Sequence, residues 1–296
     1  MRYRKWFLLG MFLVVVLARA ISSVHAQTIT SFDAPDSTGT FPQSINPRGE
    51  ITGTYIDSGR LVHGFVRDQR GTITSFDPPG SIGTNPVSIN PRGEITGWYI
   101  ASGGAHGFVR DGRGSFTSFD PPGSTGTLPL SINPRGEITG YYNDSGGVQH
   151  RFVRDGRGTI TSFHVVSTAT FPGSIGTFPR SINPAGEITG QYNDGVFRSP
   201  PHGFVRDQRG TITSFDVPGS TETFPQSINP AGEITGVYSD SGGAGHGFVR
   251  DGRGTITSFD PPGSMRTFQT SINPAGEITG WYIDSGGLFH GFVRSR

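Results

Sequence analysis

A repeat of about 44 residues runs along the chain and constrains its fold more than any other feature. The motif Ser-Ile-Asn-Pro-x-Gly-Glu-Ile-Thr-Gly-x-Tyr occurs six times, at spacings of 44, 43, 50, 46 and 44 residues. A His-Gly-Phe-Val-Arg block follows each copy, with Arg151 in place of Gly in the third. A Thr-Ser-Phe-Asp block ends 14 residues after each of the first five block histidines, with His164 in place of Asp in the third. The motif serines are Ser44, Ser88, Ser131, Ser181, Ser227 and Ser271.

Each repeat predicts four short strands joined by tight turns. Asn-Pro-x-Gly and Asp-Gly-Arg-Gly place Asn or Asp first and Gly last, as type I turns do. The segments between them are rich in β-branched and aromatic residues, which favour strands. We label these strands A (Ser-Ile-Asn), B (Glu-Ile-Thr-Gly-x-Tyr), C (His-Gly-Phe-Val-Arg) and D (Thr-Ile-Thr-Ser-Phe-Asp). Four antiparallel strands in about 44 residues is the size of a β-propeller blade.

The two ends of the repeat array complement each other. Residues 28–33 form a strand D without a preceding A, B or C, and residues 290–294 form a strand C without a following D. Pairing them completes a sixth blade and removes exposed sheet edges. We therefore predict an all-β fold, a six-bladed β-propeller with four antiparallel strands per blade, closed by the N-terminal strand. Another closed or stacked all-β repeat is the alternative.

The first 26 residues have the pattern of a secretory leader. Three basic residues precede a 13-residue apolar stretch over residues 6–18, and Ala26 ends a loose small-x-small cleavage motif. We predict a signal peptide over residues 1–26 and a single propeller domain over residues 27–296, either secreted or periplasmic. An uncleaved anchor is disfavoured because a membrane span needs ~20 apolar residues.

Composition excludes several classes of partner. The chain holds 46 Gly and 22 Pro in 296 residues, a low-complexity signal that the periodic turns explain. Removing the leader takes away four basic residues and no acidic ones, so the formal net charge changes from +1 to −3. Nucleic acid is not an expected partner, because phosphate binding needs a basic surface. There is no cysteine, which excludes disulfides and thiolate metal sites.

The repeated blocks resemble a known family. Ser-Ile-Asn-Pro-x-Gly-Glu-Ile-Thr-Gly followed by His-Gly-Phe-Val is similar to the bacterial "probable extracellular repeat" family, also called HAF repeats after a His-Ala-Phe core. The resemblance covers about residues 28–294 in six tandem copies, and it implies export and a propeller-like fold but no reaction. Glycine stands where the family often has alanine at Gly64, Gly107, Gly203, Gly247 and Gly291.

Residues that recur in every repeat are expected to serve folding. One histidine per blade places these side chains tens of ångströms apart in a ring, whereas a metal needs three or four ligands at ~2.0–2.3 Å. We expect each histidine to cap strand C and bind a neighbouring turn, and each motif glutamate to bind a turn arginine or a backbone amide. The residues are His63, His106, His150, His202, His246 and His290, and Glu50, Glu94, Glu137, Glu187, Glu233 and Glu277.

Two other recurrent features are candidate binding signals. Asp-Ser-Gly loops begin at Asp57, Asp144, Asp240 and Asp284 and could offer calcium ligands, but they lack the alternating acidic ladder of a calcium loop. We therefore expect no cofactor. The A–B turn carries an arginine in the first three repeats and an alanine in the last three, an asymmetry without an assigned role. These residues are Arg48, Arg92, Arg135, Ala185, Ala231 and Ala275.

A single binding site requires residues that break the repeat. His164 replaces the block aspartate in a longer D–A loop, and an unusual B–C loop holds two more deviations. Because D–A and B–C loops should share one rim, we predict a ligand-binding rim there and assign no catalytic residue. The candidates are His164, Phe197, Arg198, Arg266, Trp98 and Trp281.

These observations predict an exported, non-catalytic, monomeric propeller that binds a glycan, a peptide or a surface protein through its rim. One weak site per blade would add avidity. The alternatives are a hydrolase or lyase with an axial site on the same rim, by analogy of fold, and a purely structural envelope or matrix component. A cluster of His, carboxylate and Arg with shifted pKa values at the channel mouth would favour the enzyme.

Overall fold

The computed structural model describes residues 28–163, 176–185, 187–193, 200–207 and 209–295. Its regular structure is entirely β-strand, which confirms the prediction of an all-β fold. In these ranges no helix has the length and apolarity that a membrane crossing needs. The strands are β1 (Ile29–Phe32), β2 (Ser37–Ile45), β3 (Ile51–Asp57), β4 (Val62–Arg67), β5 (Ile73–Phe76), β6 (Gly83–Ile89), β7 (Ile95–Ala101), β8 (Gly104–Arg110), β9 (Phe116–Phe119), β10 (Ser124–Ile132), β11 (Ile138–Asp144), β12 (Gln149–Arg154), β13 (Ile160–Phe163), β14 (Gly176–Ile182), β15 (Ile188–Asn193), β16 (His202–Arg206), β17 (Ile212–Phe215), β18 (Glu222–Ile228), β19 (Ile234–Ser239), β20 (Gly245–Arg250), β21 (Ile256–Phe259), β22 (Ser264–Ile272), β23 (Ile278–Asp284) and β24 (Phe289–Arg294).

Antiparallel pairing groups the described strands into six four-stranded sheets, and single parallel contacts further join the sixth to the first, Gly39 with Phe289, and the second to the third, Gly126 with Ala105. The first five are β2–β5, β6–β9, β10–β13, β14–β17 and β18–β21. The sixth sheet joins β22, β23 and β24 to the N-terminal strand β1, whose Ile29 lies opposite Arg294 and whose Phe32 lies opposite Gly291. The first and last strands of the array therefore share a sheet, as the complementary ends predicted.

Strand A is longer than the predicted Ser-Ile-Asn segment. In the first sheet β2 spans nine residues, because Ser-x-Gly-Thr stays extended and pairs with strand B, Gly39 lying opposite Ile56. The pairing register shifts between Pro42 and Ser44, and a bulge is a position where proline's missing N–H is tolerated. The strand ends in the predicted turn, where the amide of Gly49 donates to the carbonyl oxygen of Asn46 at 2.9 Å.

The core lies between neighbouring sheets and is built from the repeated phenylalanines. Phe65 of strand C is fully buried and meets Phe32 of the preceding strand D edge-on at 6.2 Å, while the guanidinium of Arg67 covers the same Phe32 ring at 4.8 Å. Burying such a ring contributes ~1.5–3 kcal/mol. Phenylalanines of strands C and D therefore interleave between neighbouring sheets. The equivalent pairs are Phe76–Phe108, Phe119–Phe152, Phe215–Phe248 and Phe259–Phe292.

Turn asparagines join one sheet to the next. The side-chain amide of Asn46 donates to the carbonyl oxygen of Asn90 at 3.1 Å, and the last sheet returns to the first through Asn273, which donates to the carbonyl oxygen of Asn46 at 3.1 Å. Equivalent bonds join the second sheet to the third, the fourth to the fifth and the fifth to the sixth. The described residues show no such bond between the third and fourth sheets, which residues 164–175 connect outside the described ranges.

Candidate functional site

The B–C and D–A loops meet at one edge of the sheets, which we call the rim. His63 shows this, because its Nδ1 lies 2.7 Å from Asp77 Oδ2, where the D–A loop begins, and its Nε2 lies 3.3 Å from Asp57 Oδ2 in the B–C loop. The A–B and C–D turns form the opposite edge, which we call the turn face. The prediction that the two loop types share one rim is confirmed.

The block histidines tie neighbouring segments together. The ring of His63 stacks on Tyr55 at 5.1 Å, and its partner Asp77 accepts a hydrogen bond from Thr84 in the next sheet. Each histidine is thus bound to at least one aspartate, in agreement with the structural role predicted for it. The other contacts are His106 with Asp120, His150 with Asp144, His202 with Asp216, His246 with Asp240 and Asp260, and His290 with Asp33 and Asp284.

These contacts shift the pKa values of several rim histidines and aspartates. Burial disfavours the cation of His63, but its bonds to Asp77 and Asp57 outweigh burial and raise its pKa above the ordinary value, and the same holds for His246 and His290 with their own aspartates. The amide of Leu61 is the main cause of a lowered pKa at Asp57. Within the described ranges, no group of three or more His, Asp or Glu side chains is placed to hold a metal ion.

The motif glutamates are also bound locally. Oε2 of Glu50 accepts from Asn46 Nδ2 at 2.6 Å and from Arg48 Nη2 at 2.6 Å. The turn arginine is thus a partner of the glutamate, as predicted for this position. Glu94 has the equivalent asparagine and arginine partners in the second sheet. Glu187 follows a turn with alanine in place of arginine, and of these two partners it has only the asparagine.

The structure separates the six predicted rim residues. His164, Phe197 and Arg198 lie outside the described residues. Arg266 is exposed at the start of β22, and Trp281 is half-buried in β23 of the same sheet. The sixth candidate, Trp98, lies in the second sheet opposite Asn85 and is not part of this group.

Trp281 connects Arg266 to an aromatic cluster. Its ring stacks on Phe268 at 4.0 Å with an interplanar angle of 17°, and it also meets Phe41 of the first sheet edge-on at 5.5 Å. Phe268 lies two residues after Arg266 on β22. Arg266 and the Phe268 ring therefore lie next to each other on one strand, and the ring of Trp281 stacks on that of Phe268.

Arg266 and Phe268 line a cavity of about 230 Å³ between the fifth and sixth sheets, which we call the rim pocket. The cavity opens beside the B–C loop of the fifth sheet and runs along strands β18 and β22. Aromatic, amide, hydroxyl and guanidinium groups surround it. Its lining residues are Phe224, Gln226, Val237, Ser239, Gly243, Gly245, Arg266 and Phe268.

The pocket exists because the fifth and sixth repeats carry different residues at two positions that face this junction. In the sixth sheet, Trp281 and Phe289 occupy the positions that Val237 and Gly245 hold in the fifth. Phe289 packs on Phe41 of the first sheet at 5.2 Å and so fills the space that Gly245 leaves empty. Two small residues in one repeat thereby open a cavity that aromatic residues close in the next.

The space available to a side chain at the position of Arg266 differs between junctions. The first four sheets have a glycine there. A Cβ atom on Gly39 would lie 3.3 Å from Cβ of Phe289, whereas on Gly83 or Gly126 it would lie 4.0 Å from its nearest neighbour. Gly245 likewise leaves room for the side chain of Arg266. Arg266 and Trp281 were predicted from their departure from the repeat, whereas Val237 and Gly245 were missed, although both positions vary when the repeats are aligned.

No protein-family model matches the chain, and no curated protein matches it. Solved structures do match. The β-propeller domain of the trilobed protease from Pyrococcus furiosus is 8% identical over 86% of this chain and 95% of that chain, with a TM-score of 0.60. AofleA from Arthrobotrys oligospora is 14% identical over 90% of this chain and 86% of its own length, with a TM-score of 0.52.

TolB from Acinetobacter baumannii is 16% identical over 88% of this chain, with a TM-score of 0.50. The match spans 65% of the TolB chain. At these identities the similarity concerns the fold alone. Together with the repeated four-stranded sheets, it shows that the chain has a fold of the β-propeller type.

Proposed function

We propose that the chain is an exported, non-catalytic β-propeller whose rim pocket binds a glycan that carries a carboxylate. In this proposal the six sheets are the blades of a ring closed by β1, residues 1–26 are a signal peptide, and the chain belongs to the HAF repeat family. Export places the mature domain in the periplasm or outside the cell, without a resident cofactor. The pairing of β1 with β24 supports the ring.

The lining of the rim pocket is the observation that carries this proposal. Phe224 and Phe268 offer ring faces for the apolar side of a sugar, and Gln226 offers an amide that can bind hydroxyls. The hydroxyl of Ser239 donates to Oε2 of Glu222 at 3.1 Å and can still accept a hydrogen bond. Arg266 is the one cation of the lining, and the described residues place no carboxylate within ion-pair distance of it. An arginine in this setting binds a carboxylate through two parallel hydrogen bonds.

The size of the cavity limits the ligand. Pockets for drug-sized molecules occupy ~300–1,000 Å³, and the rim pocket has about 230 Å³. It therefore suits one sugar unit at a time, with the remainder of a chain lying along the rim. A sugar acid, at the end of a polysaccharide or within it, has an apolar ring face that can pack on the phenylalanines and a carboxylate that can bind Arg266.

The chemistry of the rim favours binding over catalysis. Hydrolysis of a glycoside needs two carboxyl groups at the reacting bond, and the residues that line the rim pocket include no Asp, Glu or His. The nearby rim aspartates are occupied by histidines and loop amides, as Asp240 is by His246 and Ala244. The hydrolase or lyase alternative therefore has less support than the binding module.

The direct test is a binding titration of residues 27–296 with uronic-acid oligosaccharides and with their carboxyl-reduced forms. The acidic form should bind, and reduction of the carboxyl should weaken binding. Arg266→Ala should lower the affinity for the acidic form about tenfold or more, because a hydrogen bond to a charged group contributes ~1.5–3 kcal/mol. Arg113→Ala, an exposed arginine of the turn face, is the matched control and should change nothing.

A second variant closes the pocket without removing a charge. Gly245→Phe introduces the residue that the sixth sheet carries at this position, and a Cβ on Gly245 would meet its nearest neighbour at an ordinary 3.8 Å. We expect this variant to lose binding of the acidic ligand while its melting temperature stays close to that of the parent. Undiminished binding in both variants would reject the rim pocket as the site.

A further inference from the structure

The exposed charges differ in sign between the two edges of the sheets. On the turn face, the exposed charged side chains of the described residues are all arginines, because the aspartate that opens each C–D turn and the motif glutamate of each A–B turn are half-buried or buried. Three of the exposed arginines belong to the A–B turns, and one belongs to each C–D turn. We call the C–D turn arginines the arginine row, which consists of Arg70, Arg113, Arg157, Arg209 and Arg253.

The local structure of the turns explains why only the positive charge is exposed. Oδ1 of Asp68 accepts hydrogen bonds from the backbone amides of Arg70 and Thr72 at 2.9 and 2.8 Å, so the carboxylate closes its own turn. The guanidinium of Arg70 takes no part in this turn. Within the described residues, no carboxylate lies within ion-pair distance of any guanidinium of the arginine row. These five cations are therefore available to a partner.

The rim carries the opposite charge. An exposed aspartate ends strand D in five sheets, and its side chain is 35–45% exposed although it also binds a block histidine. A carboxylate has about four lone-pair sites, so these groups can still accept hydrogen bonds. Arg60 and Arg266 are the exposed cations of the rim among the described residues. We call these carboxylates the aspartate row, which consists of Asp33, Asp77, Asp120, Asp216 and Asp260.

Strand D connects the two rows. In the first sheet, β5 begins shortly after Arg70 and ends immediately before Asp77, so opposite charges lie at the two ends of one strand. Strand D is the edge strand of its sheet, and both charges therefore lie on the same side of the sheet. The same arrangement recurs with Arg113 and Asp120 around β9, Arg209 and Asp216 around β17, and Arg253 and Asp260 around β21.

We infer that the chain binds further copies of itself head to tail, with the rim of one copy docked on the turn face of the next. In the same orientation, and after a rotation that offsets the twist of the strands, the aspartate row of one copy lies over the arginine row of the other. A separate acidic partner would match the turn face alone, whereas a second copy matches both faces. This inference replaces the monomer expected from the sequence.

Apolar side chains add contact area to this interface. Five rim-loop residues are 52–69% exposed, namely Leu61, Ile82, Val148, Met265 and Leu288. On the turn face, each A–B turn exposes its proline, on which such side chains can pack. These are Pro47, Pro91, Pro134, Pro184, Pro230 and Pro274. Because the two docked faces differ, each end of a stack leaves one face free, and the assembly extends beyond a dimer unless its rotation closes it.

Sedimentation velocity of residues 27–296 tests whether the chain associates. Exposed ion pairs are individually weak and are screened by salt, so the sedimentation coefficient should rise with protein concentration in about 20 mM NaCl and return to that of a monomer in about 500 mM NaCl. A parent chain that remains monomeric at low salt would overturn the inference. Binding of poly-L-glutamate to such a monomer would instead assign the turn face to an acidic polymer.

Neutral variants separate docking of the two faces from an effect of net charge. The turn variant carries Arg70→Gln, Arg209→Gln and Arg253→Gln, and the rim variant carries Asp77→Asn, Asp216→Asn and Asp260→Asn. From the net charge of −3 without the leader, three lost cations give −6 and three lost anions give 0. If overall repulsion controlled association, the rim variant would associate more strongly than the parent.

We expect both variants to associate at least about tenfold more weakly than the parent, because each loses three exposed ion pairs. The control is Arg180→Gln, which removes an exposed cation within β14, outside both rows, and should leave association unchanged. Melting temperatures close to that of the parent establish that the variants are folded. Association as strong as that of the parent in either variant would overturn the inference.

A mixture of the two variants distinguishes head-to-tail docking from a symmetric dimer. The turn variant keeps an intact rim, and the rim variant keeps an intact turn face. At a concentration where each alone is monomeric, the mixture should form a 1:1 complex that cannot extend. Dimers of the turn variant alone, or a mixture without a complex, would contradict head-to-tail docking.

The inference does not rest on the rim pocket. Titrations of that pocket in about 500 mM NaCl, where the stacks are dissociated, test the acidic-glycan proposal separately. The turn variant should bind the acidic glycan there as the parent does, because its rim is unchanged. Loss of glycan binding in Arg266→Ala with self-association intact, or the reverse in the turn variant, would show that the two properties belong to different surfaces.

Discussion

At the residue scale, the block histidines join the two loop types of the rim through aspartates. Six histidines at one repeat position indicated a folding role, and His63 indeed binds two aspartates. The sequence showed that the second of them, Asp57, has a counterpart in some repeats only, but it did not predict that this aspartate binds the histidine. The second sheet has Ala101 at that position, and His106 is hydrogen-bonded to Asp120.

The doubly bound histidines predict how stability depends on pH. His63, His246 and His290 have raised pKa values, so their contribution is fully present below the ordinary value of 6.5 and is lost as the pH rises through the raised value. Asp57 and Asp284 have lowered pKa values, so their contribution is present above the ordinary value of 3.8 and is lost as the pH falls through the lowered value.

The melting temperature should therefore be highest between about pH 4 and pH 6.5. Thermal unfolding followed by circular dichroism from acid to alkaline pH measures this profile. His246→Gln should flatten the alkaline side of it. A parent protein that melts higher at pH 8 than at pH 5.5 would contradict the role assigned to these histidines.

At the element scale, the bulge of strand A explains why the Ile-Thr-Gly segment of strand B ends in a glycine. A Cβ atom on Gly53 would lie 2.2 Å from the carbonyl oxygen of Phe41, beside the register shift at Pro42. The sequence predicted both strands and their turn, because those depend on local residues. It did not predict the bulge, which arises only when the two strands pair.

This close contact predicts the effect of a methyl group. Gly53→Ala should destabilise the fold by about 1–3 kcal/mol, the usual cost of overpacking, because the clash is with rigid backbone. Gly83→Ala is the control, since its added Cβ would be 4.0 Å from the nearest atom, Cβ of Val62. Denaturant unfolding of both variants measures the difference, and equal midpoints would show that strand A yields at no cost.

The rim pocket shows where inference from the sequence ends. Arg266 and Trp281 departed from the repeat and were identified for that reason. The cavity itself depends on what stands across a junction, because Gly245 of one sheet faces Arg266 of the next. Such a pairing between neighbouring repeats carries no signal within either repeat alone.

At the scale of the whole molecule, the two ends of the array are held together by several kinds of contact. Four residue pairs join β1 to β24. Phe32 packs on Phe65 of the first sheet, Asp33 binds His290, and the amide of Ser295 donates to the carbonyl oxygen of Thr28 at 2.9 Å. The N-terminal strand thus completes the sixth sheet and covers the core of the first.

Removing this strand should weaken both sheets at once. Deletion of residues 27–34 uncovers the edge of β24 and the buried ring of Phe65, and the melting temperature should fall sharply. The control is a circular permutant that carries residues 28–34 after the C-terminal strand through a short turn, since Ser295 and Thr28 are already hydrogen-bonded. The permutant should melt near the parent because it restores the same strand to the same edge. If the deletion variant melts with the parent, the contacts of β1 do not contribute to the fold and the proposed closure of the ring is wrong.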